Sequence, residues 1–523
     1  MRLYKFLFVF LWLICTKQAN SQSNIKCNLS ELINKAFNNN PTLKRSELVI
    51  KSSEANFQIQ KSIFDYNSFA RLSNNFSRNN LLDADPRNTY LNDFLKTKTW
   101  DFSGGANKKL RTGQIAEVSV NYGFNSSNFP INSFSQNIGP YVGNHSSTIN
   151  YSLTQPLLRG RGRSIATASE RSSVLYLENS KRDFEFSNSL QILQIGLAYW
   201  NYYVAYKNVE IYKQNENRVR NVLEITKELV KADKKPNGDM VQINADLANQ
   251  EKQTFIAQQS LYAAKVNLGR EVGLSNGESL MLDVPLNELP TLEGSMYKTD
   301  LDKSSFIKTA KEKRADLKGN QIITESLELQ YKLAENNTKP QLDLSGFVFH
   351  GSLSTGSGIG ETFSSFTNNQ GSNYGLGARL SFTFPVNNNL AKGNLAKSVI
   401  AIKDQQVYND NLNRNIELNI SNALNNLNNS VLVLEKAKEA LNNYKEAFAN
   451  EQVKFQTGLT TILSLILFQE RLTTSELQYL YAYQQFANAI IILRHETGTL
   501  VSQEKNGFTV DPRAFYIIPN SEF

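Results

Sequence analysis

The chain is poor in cysteine, histidine and long apolar runs. Of 523 residues only two are Cys and three are His. Cys15 and Cys27 make no CxxC metal motif, and a cut after residue 21 leaves Cys27 alone, with no disulfide available. His145, His350 and His495 read as residues of a loop, a strand and a helix end. No acid, base or nucleophile clusters with them, so neither an enzyme, a metal site nor a cofactor site is expected. Beyond the N-terminus no window of 18 apolar residues exists, which excludes a helical membrane span. The net charge of +8 comes without a basic patch interleaved with aromatics, so nucleic acid is not an expected partner. Gly356-Ser357-Gly358-Ile359-Gly360 lacks the Lys-Ser/Thr pair that would open a helix after a phosphate loop.

What is present begins with an export leader. Arg2 and Lys5 precede the short apolar core Leu7–Ile14, and Ala19-Asn20-Ser21 places small residues before a cut ahead of Gln22. The apolar core is too short to span a bilayer. Cys15 lacks the small preceding residue that a lipidation site wants. A water-compatible mean hydropathy of −0.40 follows an export signal. With no helical span, a closed β-barrel is the remaining route through a membrane.

Next comes a heptad. From Leu395 apolar positions step by four and three through Val399, Ile402, Ile416, Ile420, Ala423, Leu427, Leu434, Ala437, Leu441, Tyr444 and Phe448 to Phe455. Polar residues interrupt the seam at Gln406, Asn409, Asn413, Ser430 and Glu451. A sustained seven-residue period imposes a left-handed coiled coil, here roughly 90 Å long. A returning seam runs from Ile462 to Leu500.

The chain also repeats itself. Asn40-Pro41-Thr42-Leu43-Lys44 matches Arg314-Ala315-Asp316-Leu317-Lys318, 274 residues later. Leu268–Gly273 matches Leu493–Gly498 at an offset of 225. Each half reads as leading helix, strands, long helix, tight break and returning helix. The leading helices are expected over about 29–64 and 304–336, and the first long helix over about 164–230. Between helices the period drops to two. Val118, Val120, Tyr122 and Phe124 alternate with polar or small residues. So do Ile149, Tyr151 and Leu153, and the run Tyr374, Leu376, Ala378, Leu380, Phe382 and Phe384. Leu342 and Leu344 start another strand, and Phe347 and Phe349 continue it with shifted phase, so a bulge is expected at Gly346. Helices leave both ends of each strand block on the same side, so each half holds an even number of strands. The second half has two; the first has two, or four if Phe102–Asn125 joins the wall.

Leu29-x-x-Leu32-x-x-Lys35-Ala36-Phe37…Asn40-Pro41-x-Leu43, Ser152-Leu153-x-Gln155-Pro156-Leu157-Leu158-Arg159-Gly160, its second copy Leu380–Val386, and Lys454-Phe455-x-x-Gly458 resemble, in that order, the TolC family of outer-membrane efflux proteins. The resemblance covers about Asn28 to Val501. It implies an α+β membrane protein of a Gram-negative outer membrane. Four strands per chain would build a trimeric twelve-stranded barrel, continued by a helical coiled-coil tunnel through the periplasm. The division would be a leader at 1–21, periplasmic helices at 22–65, a first strand block at 66–158 and a first coiled-coil hairpin at 159–273. A linker with helices at 274–339, a second strand block at 340–386, a second hairpin at 387–501 and a tail at 502–523 would follow.

The implied function is the passive exit duct of a tripartite export system. The partners are two further copies, outer-membrane lipid, a periplasmic adaptor (membrane fusion) protein and an inner-membrane pump of RND or ABC type. The exit of type I protein secretion is the alternative on the same fold. A coiled-coil scaffold without a pore is the alternative on another, and it would not need amphipathic strands. The family's adaptor-contacting tips fall on Lys234, Pro236, Asn237 and Gly238, and on Thr457, Gly458, Leu459 and Thr460. Its constriction falls on Asp239, Ser464 and Leu467. There the chain departs from the family's acidic ring, so a seal by Leu463 and Leu467 is expected instead.

Overall fold

The computed structural model describes residues 25–519 apart from 90, 92, 129–141, 296, 298–300, 357–358, 368–371 and 505–506. The expected leader, its cleavage site and Cys15 lie outside the described residues, as do Ser357 and Gly358.

In chain order the elements are β1 (Ile25–Cys27), α1 (Leu29–Asn39), α2 (Pro41–Lys61), β2 (Tyr66–Asn80), β3 (Phe94–Lys109), β4 (Ile115–Ser127) and β5 (Val142–Pro156). Then come α3 (Ala168–Lys231), α4 (Asn237–Val272), β6 (Leu282–Pro285), α5 (Lys303–Lys313), α6 (Ala315–Asn337), β7 (Gln341–Thr355), α7 (Ile359–Thr367) and β8 (Ser372–Thr383). The last are α8 (Asn389–Gln456), α9 (Ile462–Glu496), β9 (Ser502–Glu504) and β10 (Gly507–Thr509). The chain divides into a sheet unit, Ser52–Glu178 with Gln321–Val407, and a helical unit made of the rest.

The sheet unit is one six-stranded sheet in the order β2-β3-β4-β5-β7-β8, with every neighbouring pair antiparallel. The four strands per chain that the resemblance implied are therefore corrected to six among the described residues, the count that follows when Phe102–Asn125 joins the sheet. The β3–β4 hairpin belongs to the sheet rather than to a loop, because β3 pairs with β2 from Phe94 to Lys108 and β4 pairs with β5 from Ile115 to Ser127. The first half supplies four strands and the second two. All four helix junctions, at Tyr66, Pro156, Gln341 and Thr383, lie at one end of the sheet.

The pleat sorts side chains onto two faces. One carries Leu72, Phe76, Trp100, Phe102, Val118, Tyr151, Leu153, Leu344, Val348, Leu376, Leu380 and Phe382, all exposed. The other carries Arg71, Ser73, Asp101, Ser103, Glu117, Asn121, Asn150, Ser152, Ser345, Arg379 and Ser381. The bulge expected at Gly346 is absent: the register runs unshifted through Gly346 to both neighbours. Phe347 and Phe349 therefore stand on the polar face. Their rings lie against Gly377 and Gly375 of β8, and a Cβ built on either glycine would fall 2.5 Å from the ring. The glycines make the room, and each phenylalanine covers backbone that glycine leaves bare. His145, expected in a loop, lies in β5.

In the helical unit α8 buries the expected seam from Ile416 through Ile420, Ala423, Leu427, Leu434, Leu441 and Phe448 to Phe455. Each leading helix, read as continuous, is interrupted once. Asn40 (ψ 123°) separates α1 from α2, and Arg314 (ψ 125°) separates α5 from α6. These are the residues at which the two repeat motifs align. Each break receives the glycine that ends a returning helix. Gly273 (φ +83°) packs against Asn40, and Gly498 (φ +67°) against Arg314, so close that a Cβ on either would touch the facing backbone. Positive φ and that close approach together require glycine.

Three apolar clusters fill this unit. One gathers Leu32, Tyr199, Trp200, Leu268, Ile491 and Phe515. A second holds Phe306, Ile416, Ile420, Phe486 and Ile490. The third lies toward the helix breaks, with Val219, Val222, Ile243, Phe455, Ile462 and Leu465. The tail contributes to the first: Phe515 is fully buried, and Arg494 Nε donates to the Ile517 carbonyl at 2.8 Å.

Candidate functional site

The two breaks at the hairpin ends are built the same way. At the first, α3 ends at Lys231, Asp233 adopts φ +56°, and the Lys234 N–H donates to the Leu229 carbonyl at 2.9 Å. At the second, α8 ends at Gln456, Gly458 adopts φ +79°, and the Leu459 N–H donates to the Lys454 carbonyl at 2.8 Å. Both are Schellman closures, with a left-handed residue satisfying carbonyls that the helix end leaves open. Pro236 then leads extended into α4, while the Thr461 hydroxyl caps α9 by accepting from the Ser464 N–H at 3.2 Å.

The tip residues named from the sequence come out as follows. Lys234, Pro236, Asn237, Gly238, Thr457, Gly458 and Leu459 are exposed, and Leu459 is 79% so. Thr460 is half-buried. Of the constriction candidates, Asp239 is half-buried in the first turn of α4, with its N–H donating to the Pro236 carbonyl at 3.1 Å. Leu467 and Leu463 are exposed. The Ser464 hydroxyl donates to Glu451 at 2.6 Å.

Two residues missed in the sequence hold the site together. Lys235 Nζ donates to the Thr460 carbonyl at 2.8 Å and lies 5.0 Å from the Phe455 ring, so it ties one tip to the other. Glu451 is buried in the seam and accepts from the Thr460 and Ser464 hydroxyls, with Lys454 Nζ at 3.6 Å. The Ser464 donor above all, then Thr460, holds its carboxyl below the ordinary glutamate value. A signal existed, since Glu451 is an acid at a seam position two turns before Gly458. Lys235 gave none.

Farther from the tips the coiled coil carries a polar ladder. Gln469 Nε2 donates to Asn215 at 3.0 Å, and Asn215 Nδ2 donates to Gln250 at 2.8 Å. Such buried amides fix register. Among the described residues no three His, Cys, Asp or Glu side chains converge on a metal-ligating geometry. The arrangement presents two exposed turns, one of them carrying the apolar Leu459.

Amphipathic strands and long helical hairpins ending in matched turns now stand beside known proteins. No family model matches the chain, and no curated protein matches it. Solved structures do match. The fold is that of an outer-membrane channel. The chain is 13% identical to the outer membrane protein VceC of Vibrio cholerae, at a TM-score of 0.64, covering 90% of this chain and 96% of that one. It is 14% identical to the CmeC outer membrane channel of Campylobacter jejuni, at 0.62, covering 90% and 85%. It is 15% identical to the open-state MtrE outer membrane channel of Neisseria gonorrhoeae, at 0.60, covering 90% and 88%. This outer-membrane channel fold accommodates the β3–β4 hairpin within a continuous sheet.

Proposed function

We propose that this chain is the outer-membrane exit duct of a tripartite export system in a Gram-negative bacterium. It passively conducts small molecules that an inner-membrane pump delivers through a periplasmic adaptor. The observation that carries this reading is the six-stranded sheet. One face carries an exposed apolar belt, the other is mostly polar, and the junctions at Tyr66, Pro156, Gln341 and Thr383 all lie at the same end. Such a sheet suits a barrel with lipid outside and water inside. Its open edges, β2 and β8, run antiparallel to each other, so β8 of one copy can pair with β2 of the next. Three copies would close an eighteen-stranded ring. Barrel diameter grows roughly linearly with strand number, and rings of about 16–18 strands leave an aqueous channel.

On this reading Lys234, Pro236, Asn237, Gly238, Thr457, Gly458, Leu459 and Thr460 meet the adaptor, with Leu459 as the apolar contact. Asp239, Ser464 and Leu467 stand at the constriction. Because Ser464 is engaged with Glu451, Leu463 and Leu467 are the better candidates for the seal. The chain has no reaction to catalyse, and energy comes from the pump. A wide ring also suits polypeptide cargo, the type I secretion alternative, and the adaptor captured at the tips separates the two.

Reconstitution of the purified mature protein into planar bilayers tests the proposal. Stepwise conductance from a detergent-stable oligomer of three chains is expected, with weak cation selectivity. A water-soluble monomer that inserts no conductance overturns it.

A further inference from the structure

The helix α7 lies on the wrong face for a soluble protein. It joins β7 to β8 at the end of the sheet opposite the helix junctions. It folds back against the face that carries the apolar belt, where that face turns polar at Ser147, Ser352, Ser354 and His145, all buried. Its hydrophilic side makes the contact. The Ser147 hydroxyl donates to the Ser365 carbonyl, and the Ser354 hydroxyl donates to the Glu361 carboxylate. The Ser364 hydroxyl reaches Ser354 at 3.0 Å and Glu361 at 2.9 Å.

A relay fastens the helix further. His145 Nε2 sits 3.2 Å from the Gly356 carbonyl, which can only accept, so that nitrogen carries the proton. Nδ1 then accepts from the Tyr122 hydroxyl at 2.8 Å, and Tyr122 accepts from Thr362 at 3.0 Å. With its polar side spent on the sheet, α7 turns Ile359 and Phe363 outward, 81% and 70% exposed. Phe366, beside them, stacks on Tyr122.

The depth of this helix follows from the strand. From Leu342 to Ser352 is ten residue steps, about 33 Å along a strand and about 25 Å in height at the usual barrel tilt, the height of an apolar belt. The polar patch under α7 therefore begins where the belt ends, at its outer margin. The same end of the same face carries cations. Arg78 and Lys96 face each other across β2 and β3, and their charged groups sit 4.1 and 4.8 Å from the Phe94 ring.

We propose that α7 is an interfacial collar: Ile359 and Phe363 enter the acyl boundary of the outer leaflet, while Arg78 and Lys96 meet its anionic headgroups. The partner is a lipid surface bearing negative charge. An amphipathic helix in the interface plane buries its apolar face among headgroups and acyl chains, and nearby cations favour anionic lipid. Here the helix is inverted relative to a core helix because its inner neighbour is polar. The inference rests on the barrel reading above.

Single cysteines at Ile359→Cys and Phe363→Cys, with Leu376→Cys at mid-belt and Ser152→Cys on the polar face as references, test it. The full mature protein carries an environment-sensitive fluorophore at each site, in phosphatidylcholine vesicles with or without phosphatidylglycerol. Cys27 does not compete, being buried with its thiol pushed up to about 12 by desolvation. Shallow nitroxide lipids are expected to quench positions 359 and 363 more than deep ones do. Position 376 should show the reverse order, and position 152 no lipid quenching. Adding phosphatidylglycerol should increase shallow quenching at 359, and Arg78→Gln with Lys96→Gln should remove that increase. Quenching at 376 without quenching at 359 and 363 overturns the collar and leaves the barrel standing. Quenching at none of the three removes the barrel reading itself. An increase that survives both glutamine changes overturns the role of the cations.

Discussion

The two halves of the helical unit solve the same junction with different chemistry. In the first half the break residue is Asn40, whose Nδ2 donates to the Glu271 carbonyl at 2.7 Å beside Gly273. In the second it is Arg314, buried beside Gly498, paired with Asp316 and Glu496 at 2.8 Å each. Burial pulls the Arg314 guanidinium down, but the two carboxylates outweigh it and raise it overall. Behind each junction the difference recurs. Arg270 is exposed, whereas its counterpart His495 is buried and hydrogen-bonded to Ser189 at 2.9 Å. At the tips, Thr226 donates to its own helix at the Val222 carbonyl, while its counterpart Glu451 collects three side chains. Duplication has kept the backbone device, a left-handed residue packed on a helix break or closing a helix end. The side chains have diverged, and the second half carries the buried ionisable ones.

The largest test of this contrast removes the break residues. Arg314→Ala strands two carboxylates and should cost about 3–5 kcal/mol, as broken buried ion pairs do. Asn40→Ala loses a neutral hydrogen bond and should cost about 1–2 kcal/mol. Heat-induced loss of helical dichroism in detergent ranks the two, and equal losses would erase the distinction. The tips give the next effect. Gly458→Ala places a side chain in the left-handed region and should cost about 1–2 kcal/mol, whereas Asp233→Gly relieves the matching position and should gain up to about 1 kcal/mol. The same melts read both signs.

Acid should act on the second half. Burial depresses His495 below its ordinary 6.5, so its contribution is complete above that value and is lost as pH falls through the lower, folded one. The wild type should melt earlier on acidification below about 6.5, and His495→Asn should flatten that limb of the profile. The smallest effect belongs to Glu451. Its depressed carboxyl stabilises the tips above its ordinary 4.5, and that support fades as pH falls through the folded value. Proteolysis at the tips should rise there in the wild type, and Glu451→Gln should show no such step.

Much of this architecture was legible because long-range requirements impress short periods on a sequence. A coiled-coil seam must recur every seven residues, so α8 could be read from Ile416 to Phe455. A sheet between lipid and water must alternate, so β4, β5 and β8 declared their faces. Gly458 and Pro236 marked the turns. Other features depend on partners distant in sequence. Phe347 and Phe349 read as slipped because the glycines that accept them, Gly377 and Gly375, are on another strand. The number of wall strands hung on whether β3 found β2, and alternation within β3 is blurred by Gly104 and Gly105. The breaks at Asn40 and Arg314 interrupt good helical patterning, since their cause is a glycine more than 180 residues away. At the tips, Lys235 was indistinguishable from any solvated lysine until its reach to Thr460 was visible.

The unpaired borders of the sheet bear on biogenesis. A solitary protomer presents bare amides and carbonyls along β2 and β8, and in hydrocarbon each such group left without a partner costs several kcal/mol. On the proposed three-copy ring, entry into the bilayer one subunit at a time is disfavoured and subunits associate before or during insertion, so the rate of insertion is expected to rise steeply with protein concentration.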